Sequence, residues 1–292
     1  MFYKIAEHKI EIDFDSDMLE RLLPSFKPFK VEDDASELLL RLTVDNELKP
    51  TEESKCRLIR DVDTGNGKTR VDVLDDGGYQ FLVRDIYDHE CALLITSPDF
   101  SNCRVALQGG LATQRFALNN ALMLAYAFSA VSHDTLLIHA SVVRHNEKAY
   151  AFTAKSGTGK STHVANWMRY IEGCDIVNDD NPVIRIKDGR PFLYGSPWSG
   201  KTPCYRNIKV ALGGIMLIER DTTNFVKELS PIIAFSVVLT SCSAMKWDER
   251  LYQMVCDTCS RFVESTKVAS IHCLPDREAV EVCKNYLAPL ND

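Results

Sequence analysis

A glycine-rich segment in the middle of the chain has the residue types needed to bind phosphate groups. It reads Ala154-Lys155-Ser156-Gly157-Thr158-Gly159-Lys160-Ser161-Thr162. This fits the phosphate-loop pattern, with Ala154 in place of the usual first glycine. Gly157 and Gly159 can adopt positive φ and turn backbone N–H groups toward one point. Lys160 would add a full positive charge for the β- and γ-phosphates, and the Ser161 hydroxyl suits magnesium. The segment therefore predicts a binding site for ATP and Mg²⁺.

The elements predicted on either side of this segment support the same interpretation. Residues 149–153 are predicted to form a strand, and residues 161–171 a helix. Val164, Trp167, Met168 and Ile171 fall at helical spacing and would pack that helix on a sheet. The positive end of the helix dipole would then face the phosphates. An incidental glycine-rich turn with a lysine would require neither element.

A second candidate group is the acidic end of the next predicted strand. The segment reads Cys174-Asp175-Ile176-Val177-Asn178-Asp179-Asp180. A buried strand ending in carboxylates, shortly after a phosphate loop, is where an acidic residue that holds magnesium is expected. One of Asp179 and Asp180 would support the metal with Ser161, and the other would accept a proton from an attacking hydroxyl. The sequence leaves the assignment open. In the alternative interpretation, Asp180 and Asn181 only begin a turn.

Two further positions are candidates for the site. His139 lies within a predicted strand at residues 136–143, where a catalytic role competes with that of a hydrogen-bonded core histidine. The segment from Tyr194 to Asn207 contains two glycines, two prolines and the cations Lys201 and Arg206. It is predicted to be a loop that contacts substrate or phosphate. The alternative is a surface connection with solvated charges.

The order of predicted elements indicates two domains. Short apolar runs, such as Leu38–Val44 and residues 79–83, are separated by turn sequences at residues 63–67 and 75–78. After Gly109 and Gly110, strands and helices alternate. We therefore predict a β-rich accessory domain at residues 1–108 and a mixed α/β catalytic domain at residues 109–292.

Composition narrows the possible partners and the location. The net charge of -7 argues against a broad basic surface for nucleic acid. No apolar run approaches the roughly 20 residues of a membrane helix, and the N-terminus lacks a secretory signal, so we expect a cytoplasmic protein without a membrane partner. Ten scattered cysteines are expected to be small buried apolar groups in a reducing compartment, and the Cys256/Cys259 pair lacks a convincing second ligand pair. A homo-oligomer is compatible with these features.

Residues 137–184 resemble the catalytic domain of HPr kinase/phosphorylase and its relatives. These relatives include kinase-like proteins found with modified-peptide pathways and, remotely, ATP-dependent phosphoenolpyruvate carboxykinases. The resemblance is carried by His139, by the loop from Ala154 to Ser161, and by the Asp179-Asp180 pair. It implies an α/β fold with a mixed sheet and a P-loop. It also implies that the aspartates supply the general base and metal support, and that His139 orients the reacting groups.

The chain departs from the HPr-specific enzymes after the aspartate pair. It lacks their glycine-rich, glutamate-bearing segment, and residues 195–207 stand in its place. The N-terminal region matches no regulatory domain of that family. HPr as the substrate and the reverse phosphorolysis reaction therefore do not follow from the resemblance.

Together these features predict an HPr-kinase-like phosphotransferase. It would transfer the γ-phosphoryl group of ATP to a hydroxyl, such as a serine of a protein or peptide. Lys160, His139 and the aspartate pair would form its catalytic centre, and Lys201 or Arg206 would contact the substrate. The acceptor, whether a protein, a peptide or a small molecule, is not identified. The alternatives are a nucleotide-binding regulatory partner of a peptide-modification system and a carboxykinase-like lyase.

Overall fold

A computed structural model describes residues 1–63, 67–155, 157–200 and 202–288 of the 292-residue chain. The chain divides into two compact units, Met1–Ala130 and Val131–Asp292. The predicted boundary between residues 108 and 109 lies before this division. The reason is that the long helix α2 (Leu111–Ser129) packs on strands of the first unit.

The first unit consists mainly of β-strands. Its helices are α1 (Ser16–Leu22) and α2, and Asp15 caps α1 by accepting a hydrogen bond from the Met18 N–H. Its strands are β1 (Phe2–Ile5), β2 (His8–Asp13), β3 (Lys30–Val31), β4 (Leu38–Val44), β5 (Cys56–Asp63), β6 (Lys68–Leu74), β7 (Tyr79–Arg84), β8 (Glu90–Thr96) and β9 (Asn102–Leu107). Within the described residues they form one sheet in the order β3-β1-β2-β4-β9-β8-β7-β6-β5.

Sequence patterns in the first unit correspond to particular elements. The predicted strands at residues 38–44 and 79–83 are β4 and β7, the latter one residue longer. The turn predicted at residues 75–78 connects β6 to β7, where a Cβ on Gly78 would meet the Thr96 carbonyl oxygen at 2.2 Å. Residues 64–66 of the other predicted turn lie outside the described residues. Along α2, Ala117, Leu118, Ala121 and Leu122 are fully buried, which explains why this helix is apolar.

The second unit alternates strands and helices. Its helices are α3 (Lys160–Tyr170), α4 (Pro231–Ser241), α5 (Glu249–Ser265) and α6 (Arg277–Leu287). Its strands are β10 (Thr135–Leu137), β11 (Ala140–His145), β12 (Lys148–Thr153), β13 (Asp175–Asp180), β14 (Val183–Lys187), β15 (Arg190–Tyr194), β16 (Lys209–Arg220), β17 (Phe225–Glu228) and β18 (Val268–Cys273).

The strands of the second unit form a mixed sheet. Among the described residues the main order is β10-β14-β15-β16-β12-β11-β13, with β18 beside the second half of β16 and β17 beside β18. Strand β16 runs parallel to both β12 and β18, whereas β11 is antiparallel to β12 and β13. The carboxyl ends of β12, β16 and β18 therefore lie at one edge of the sheet, where ligands of α/β proteins commonly bind.

Helices cover both faces of this sheet. Alternate residues of a strand point to opposite faces, so Val142 packs with α4 and α5 while its neighbour Val143 packs with α3 and α6. Trp167 of α3 is fully buried against Phe152 of β12, and Phe262 of α5 is fully buried on the other face. Two apolar layers around one sheet give the predicted mixed α/β class.

The predicted strand at residues 136–143 is two strands instead of one. Strand β10 pairs with β14, β11 pairs with β12 and β13, and the break lies at Ile138 and His139. The cause is tertiary. Ile138 forms an isolated bridge with Cys242, and the His139 N–H donates at 2.7 Å to the carbonyl of Ser241, the last residue of α4. These contacts draw His139 out of the sheet ladder.

Other predictions can be compared directly with the structure. Val164, Trp167 and Ile171 are buried as predicted, whereas Met168 is half exposed. The ten cysteines are free thiols, and Cys256 and Cys259 lie on α5. The described residues contain no cluster of three or more His, Cys, Asp or Glu side chains suited to hold a metal. In the same residues, no helix combines the length and apolar character needed to cross a membrane.

Candidate active site

The glycine-rich loop connects the end of β12 to the first residue of α3. Gly157 has φ 76° and Gly159 has φ 124°, the positive values that glycine tolerates. A Cβ at either glycine would meet no atom within 4 Å, so the space beside the loop is open. The positive φ, not a lack of space, is therefore the reason for glycine at these two positions. The N-cap of α3 is Gly159, which makes no side-chain capping bond, and the N-terminus of a helix is suited to bind an anion. Ser156 lies outside the described residues.

Arg220 supports this loop from the neighbouring strand. Its Nε donates to the Thr158 carbonyl at 3.0 Å, and its Nη2 donates to the Gly157 carbonyl at 2.6 Å. Arg220 is not among the site residues predicted from the sequence. The available signal was its position at the end of a buried strand, but only the parallel pairing of β16 with β12 brings it to the loop.

Asp179 is buried and accepts hydrogen bonds from two serine hydroxyls. Its exposure is 4%, because it lies in β13 directly opposite Ser141 of β11. Ser141 Oγ donates to Oδ1 at 2.6 Å, and Ser161 Oγ of the loop donates to the same oxygen at 3.1 Å. A hydroxyl and a carboxylate are oxygen ligands of the kind that Mg²⁺ prefers. Ser161 and Asp179 are therefore oxygen donors of the type that a Mg²⁺ site requires.

A second group of contacting side chains consists of Asp180, His139 and Lys160. His139 Nδ1 lies 3.0 Å from Asp180 Oδ1, and its Nε2 lies 2.9 Å from Lys160 Nζ. An ammonium group can only donate, so Nε2 is the acceptor and Nδ1 carries the proton toward the carboxylate. Partial burial lowers the pKa of Lys160, although the charges of Asp180 and Asp179 oppose this effect. The side chains of His139 and Asp180 are 48% and 35% exposed, so the pair is accessible from solvent.

The backbone at Asp180 is held in an uncommon conformation. Its φ is 148°, a value rarely seen outside glycine. A nearby segment of the same chain fixes this conformation. Asp180 forms an isolated bridge with Ser199, and the Gly200 N–H donates a hydrogen bond to the Asp179 carbonyl. Asn181 Nδ2 also donates to Asp180 Oδ2 at 2.7 Å, so the carboxylate has one partner on each oxygen.

The start of the 195–207 loop is buried. Asn178 Nδ2 donates to the Trp198 carbonyl at 3.1 Å and to Ser196 Oγ at 3.2 Å. Asn178, Ser196 and Trp198 are all buried. At Gly195 an added Cβ would meet the Arg206 carbonyl oxygen at 1.9 Å, which explains the glycine. This part of the loop packs against β13 and fixes the backbone that carries the two aspartates.

The structure does not bring Arg206 to the phosphate loop. Arg206 Nη1 donates to Asp175 Oδ2 at 2.7 Å, and Arg144 binds the same carboxylate with two hydrogen bonds. Burial acts to raise the pKa of Asp175, but the hydrogen bonds from Arg144 and Arg206 hold it below its usual value. Asp175 begins β13 and Asp179 lies four residues later, about 13 Å along an extended strand. Lys201, the other predicted substrate contact, lies outside the described residues.

Comparisons with known proteins add a fold-level likeness. No family model matches the chain, and no curated protein matches it. Among solved structures, it is similar to the Hpr(Ser) kinase/phosphatase from Coxiella burnetii, with 8% sequence identity and a TM-score of 0.30. The match covers 51% of this chain and 95% of that one. A likeness this remote assigns no activity, so we infer function from the side chains of this chain itself.

Proposed function

We propose that the chain is an ATP-dependent kinase that transfers the γ-phosphoryl group to a hydroxyl. The main support is the contrast between two adjacent carboxylates at the end of β13. Asp179 is buried against two hydroxyls, one of them from the phosphate loop. Asp180 is accessible and contacts an imidazole that also contacts the loop lysine. Such a difference in environment suits one carboxylate to a metal and the other to proton transfer.

The phosphates would be bound by the loop and the first turn of α3. Positive φ at Gly157 and Gly159, together with the N–H groups at the start of α3, provides donors for phosphate oxygens. Lys160 adds a positive charge beside them. Ser161 and Asp179 would hold Mg²⁺, which when bound neutralises charge on the phosphates.

Asp180 is the side chain best suited to accept the proton during transfer. As the acceptor hydroxyl oxygen forms a bond to the γ-phosphorus, the bond between that phosphorus and the β-phosphate oxygen breaks. The hydroxyl proton passes to the Asp180 carboxylate, giving ADP and a phosphoester. His139 donates to Asp180 through Nδ1 and thereby orients it, so we assign His139 a positioning role.

The acceptor would approach from solvent. The exposure of His139 and Asp180 leaves the transfer site open to a large substrate, which supports a serine of a protein or peptide as the acceptor. A buried pocket would instead select a small molecule.

The test is transfer of label from ATP labelled on the γ-phosphate to a library of serine-containing peptides, with Mg²⁺ present. We expect phosphoserine with the wild type and with Lys148→Ala, a change at the opposite end of β12, and none with Lys160→Ala. Tight ATP binding without any transfer would overturn the kinase in favour of a regulatory nucleotide-binding protein. Nucleotide turnover that requires oxaloacetate would instead favour a lyase.

A further inference from the structure

A cavity of about 390 Å³ opens at the first turn of α3. One wall comes from α3 and the two residues that precede it, and the other from the ends of β16 and β18. The residues relevant here are Gly159, Thr162, His163, Ile218, Leu274 and Pro275. None of the side chains assigned to phosphoryl transfer above is among the lining residues.

Sheet order places this cavity and the transfer site on opposite sides of β12. The loop leaves the end of β12, which lies between β16 and β11 in the sheet. His139 directly precedes β11, and Asp179 and Asp180 end β13, so the transfer groups lie on one side. Strands β16 and β18 lie on the other side and end at the same edge as β12, at Arg220 and Cys273. A nucleotide lying across the loop, with its γ-phosphate near Asp180, would extend its nucleoside toward β16 and β18.

The cavity wall has the character of a nucleobase site. Ile218, Leu274 and Pro275 supply an apolar surface, and apolar walls with a few polar groups are typical of sites for small organic ligands. Buried His163 lines the cavity beside them, and its Nε2 accepts the Trp167 indole N–H at 3.1 Å. This wall favours an uncharged ring over a phosphate.

Asp221 supplies an ionised acceptor in the lining of the same cavity. The backbone N–H of Thr222, which donates to Oδ1 at 2.7 Å, is the largest influence that lowers the pKa of this carboxyl. A carboxylate of this kind can accept hydrogen bonds from ribose hydroxyls.

We infer that this cavity binds the nucleoside of the triphosphate, with the base against Ile218, Leu274 and Pro275 and the ribose toward Asp221. The inference rests on the proposed function, because the phosphates must occupy the loop for the nucleoside to reach the cavity. It assigns base and ribose recognition to the ends of β16 and β18.

The test compares two ligands by calorimetry in the presence of Mg²⁺: ATP, and inorganic tripolyphosphate, which lacks the nucleoside. Leu274→Ala removes part of the apolar wall, and its 41% exposure makes the change compatible with folding. Met168→Ala is the matched control, because Met168 is 46% exposed on α3 and does not line the cavity. We expect Leu274→Ala to weaken ATP binding about fivefold, through lost apolar contact. It should leave tripolyphosphate binding unchanged, and Met168→Ala should alter neither ligand.

The possible outcomes separate the inference from the proposed function. Unchanged ATP affinity in Leu274→Ala, or equal weakening of both ligands, would overturn the nucleoside site while leaving the phosphate loop in place. If the wild type bound neither ATP nor tripolyphosphate, the proposed function itself would fail. As a second measurement, photolabelling with 8-azido-ATP should modify residues 273–275 or 218–221 and be blocked by excess ATP. Labelling confined to another part of the chain would also contradict the inference.

Discussion

His139 Nδ1 lies 3.0 Å from Oδ1 of Asp180, with the other nitrogen of the same imidazole 2.9 Å from Lys160 Nζ. Three side chains from three separate segments thus form one continuous line from an ammonium group to a carboxylate. Asp180 is therefore paired with a histidine, whereas its neighbour Asp179 accepts hydrogen bonds from two serine hydroxyls. This difference leads to distinct expectations for the two aspartates.

Asp180→Asn should reduce turnover while leaving nucleotide binding nearly unchanged. Loss of a positioned proton acceptor costs about 10²- to 10⁴-fold in rate, and the amide still fills the space beside His139. Steady-state kinetics with a serine-containing acceptor peptide would measure kcat and the KM for ATP separately.

Asp179→Asn should instead raise the magnesium concentration needed for half-maximal activity. If the two variants exchanged these behaviours, the assigned roles would be wrong.

Ser141→Ala should lower both stability and magnesium affinity. The Ser141 hydroxyl is buried and donates to buried Asp179 at 2.6 Å, so its removal leaves a carboxylate oxygen with one fewer donor. The expected loss in free energy of unfolding is about 1–3 kcal/mol, measurable by urea denaturation. Ser141→Cys is a nearly isosteric change with a weaker donor. Its free energy of unfolding should lie between those of the wild type and Ser141→Ala. Wild-type stability in both variants would show that this hydrogen bond contributes little.

Local sequence was sufficient to predict a glycine-rich loop between a strand and a helix. Glycines with positive φ, the lysine and the serine lie within a few residues of one another, and the flanking strand and helix follow from short-range periodicity. The acidic pair was found for the same reason, because it ends an apolar strand. These features depend on neighbours in sequence, which pattern analysis can detect.

Features that depend on distant contacts could not be predicted. Ser141 faces Asp179 only through the register of β11 on β13, and Arg220 reaches the loop only because β16 is parallel to β12. The break at His139 depends on a hydrogen bond from its backbone to Ser241, about a hundred residues later. Arg206 pairs with Asp175 instead of approaching the loop for a similar reason.

Stability should fall in mild acid because of His163. The unfolded chain binds a proton on this side chain below its ordinary pKa of 6.5, whereas the folded protein does so only near pH 4. Protonation therefore favours unfolding as pH decreases from about 6.5 to about 4. Between pH 7 and pH 5 this group alone should reduce the free energy of unfolding by about 2 kcal/mol.

Comparison of the wild type with His163→Gln by urea denaturation at both pH values isolates this effect. Glutamine can still accept the Trp167 N–H but does not titrate. Between pH 7 and pH 5 the free energy of unfolding of the variant should therefore fall by about 2 kcal/mol less than that of the wild type. An identical pH dependence in the two proteins would mean that His163 titrates normally in the folded state.

Gly195→Ala should destabilise the second unit through a direct backbone clash. The added Cβ would lie 1.9 Å from the Arg206 carbonyl oxygen, and backbone cannot move aside as a flexible side chain can. We expect a loss of about 2 kcal/mol or more, measured by thermal or urea denaturation. Gly110→Ala is the control, because a Cβ there meets nothing within 4 Å. It should cost less than about 1 kcal/mol, the order of the difference between glycine and alanine at an N-cap. Equal stability of the two variants would contradict the packing described around Asn178 and Trp198.

Calorimetric titration of ATP with Mg²⁺ into wild type, Lys160→Ala and Lys148→Ala is the most direct test of the phosphate site. We predict saturable binding to the wild type, similar affinity for Lys148→Ala, and a loss of at least about thirtyfold for Lys160→Ala, since one charge-assisted contact to phosphate is removed. All three proteins should remain folded. No binding to the wild type at millimolar ATP, or equal affinity in Lys160→Ala and the wild type, would contradict nucleotide binding at this loop.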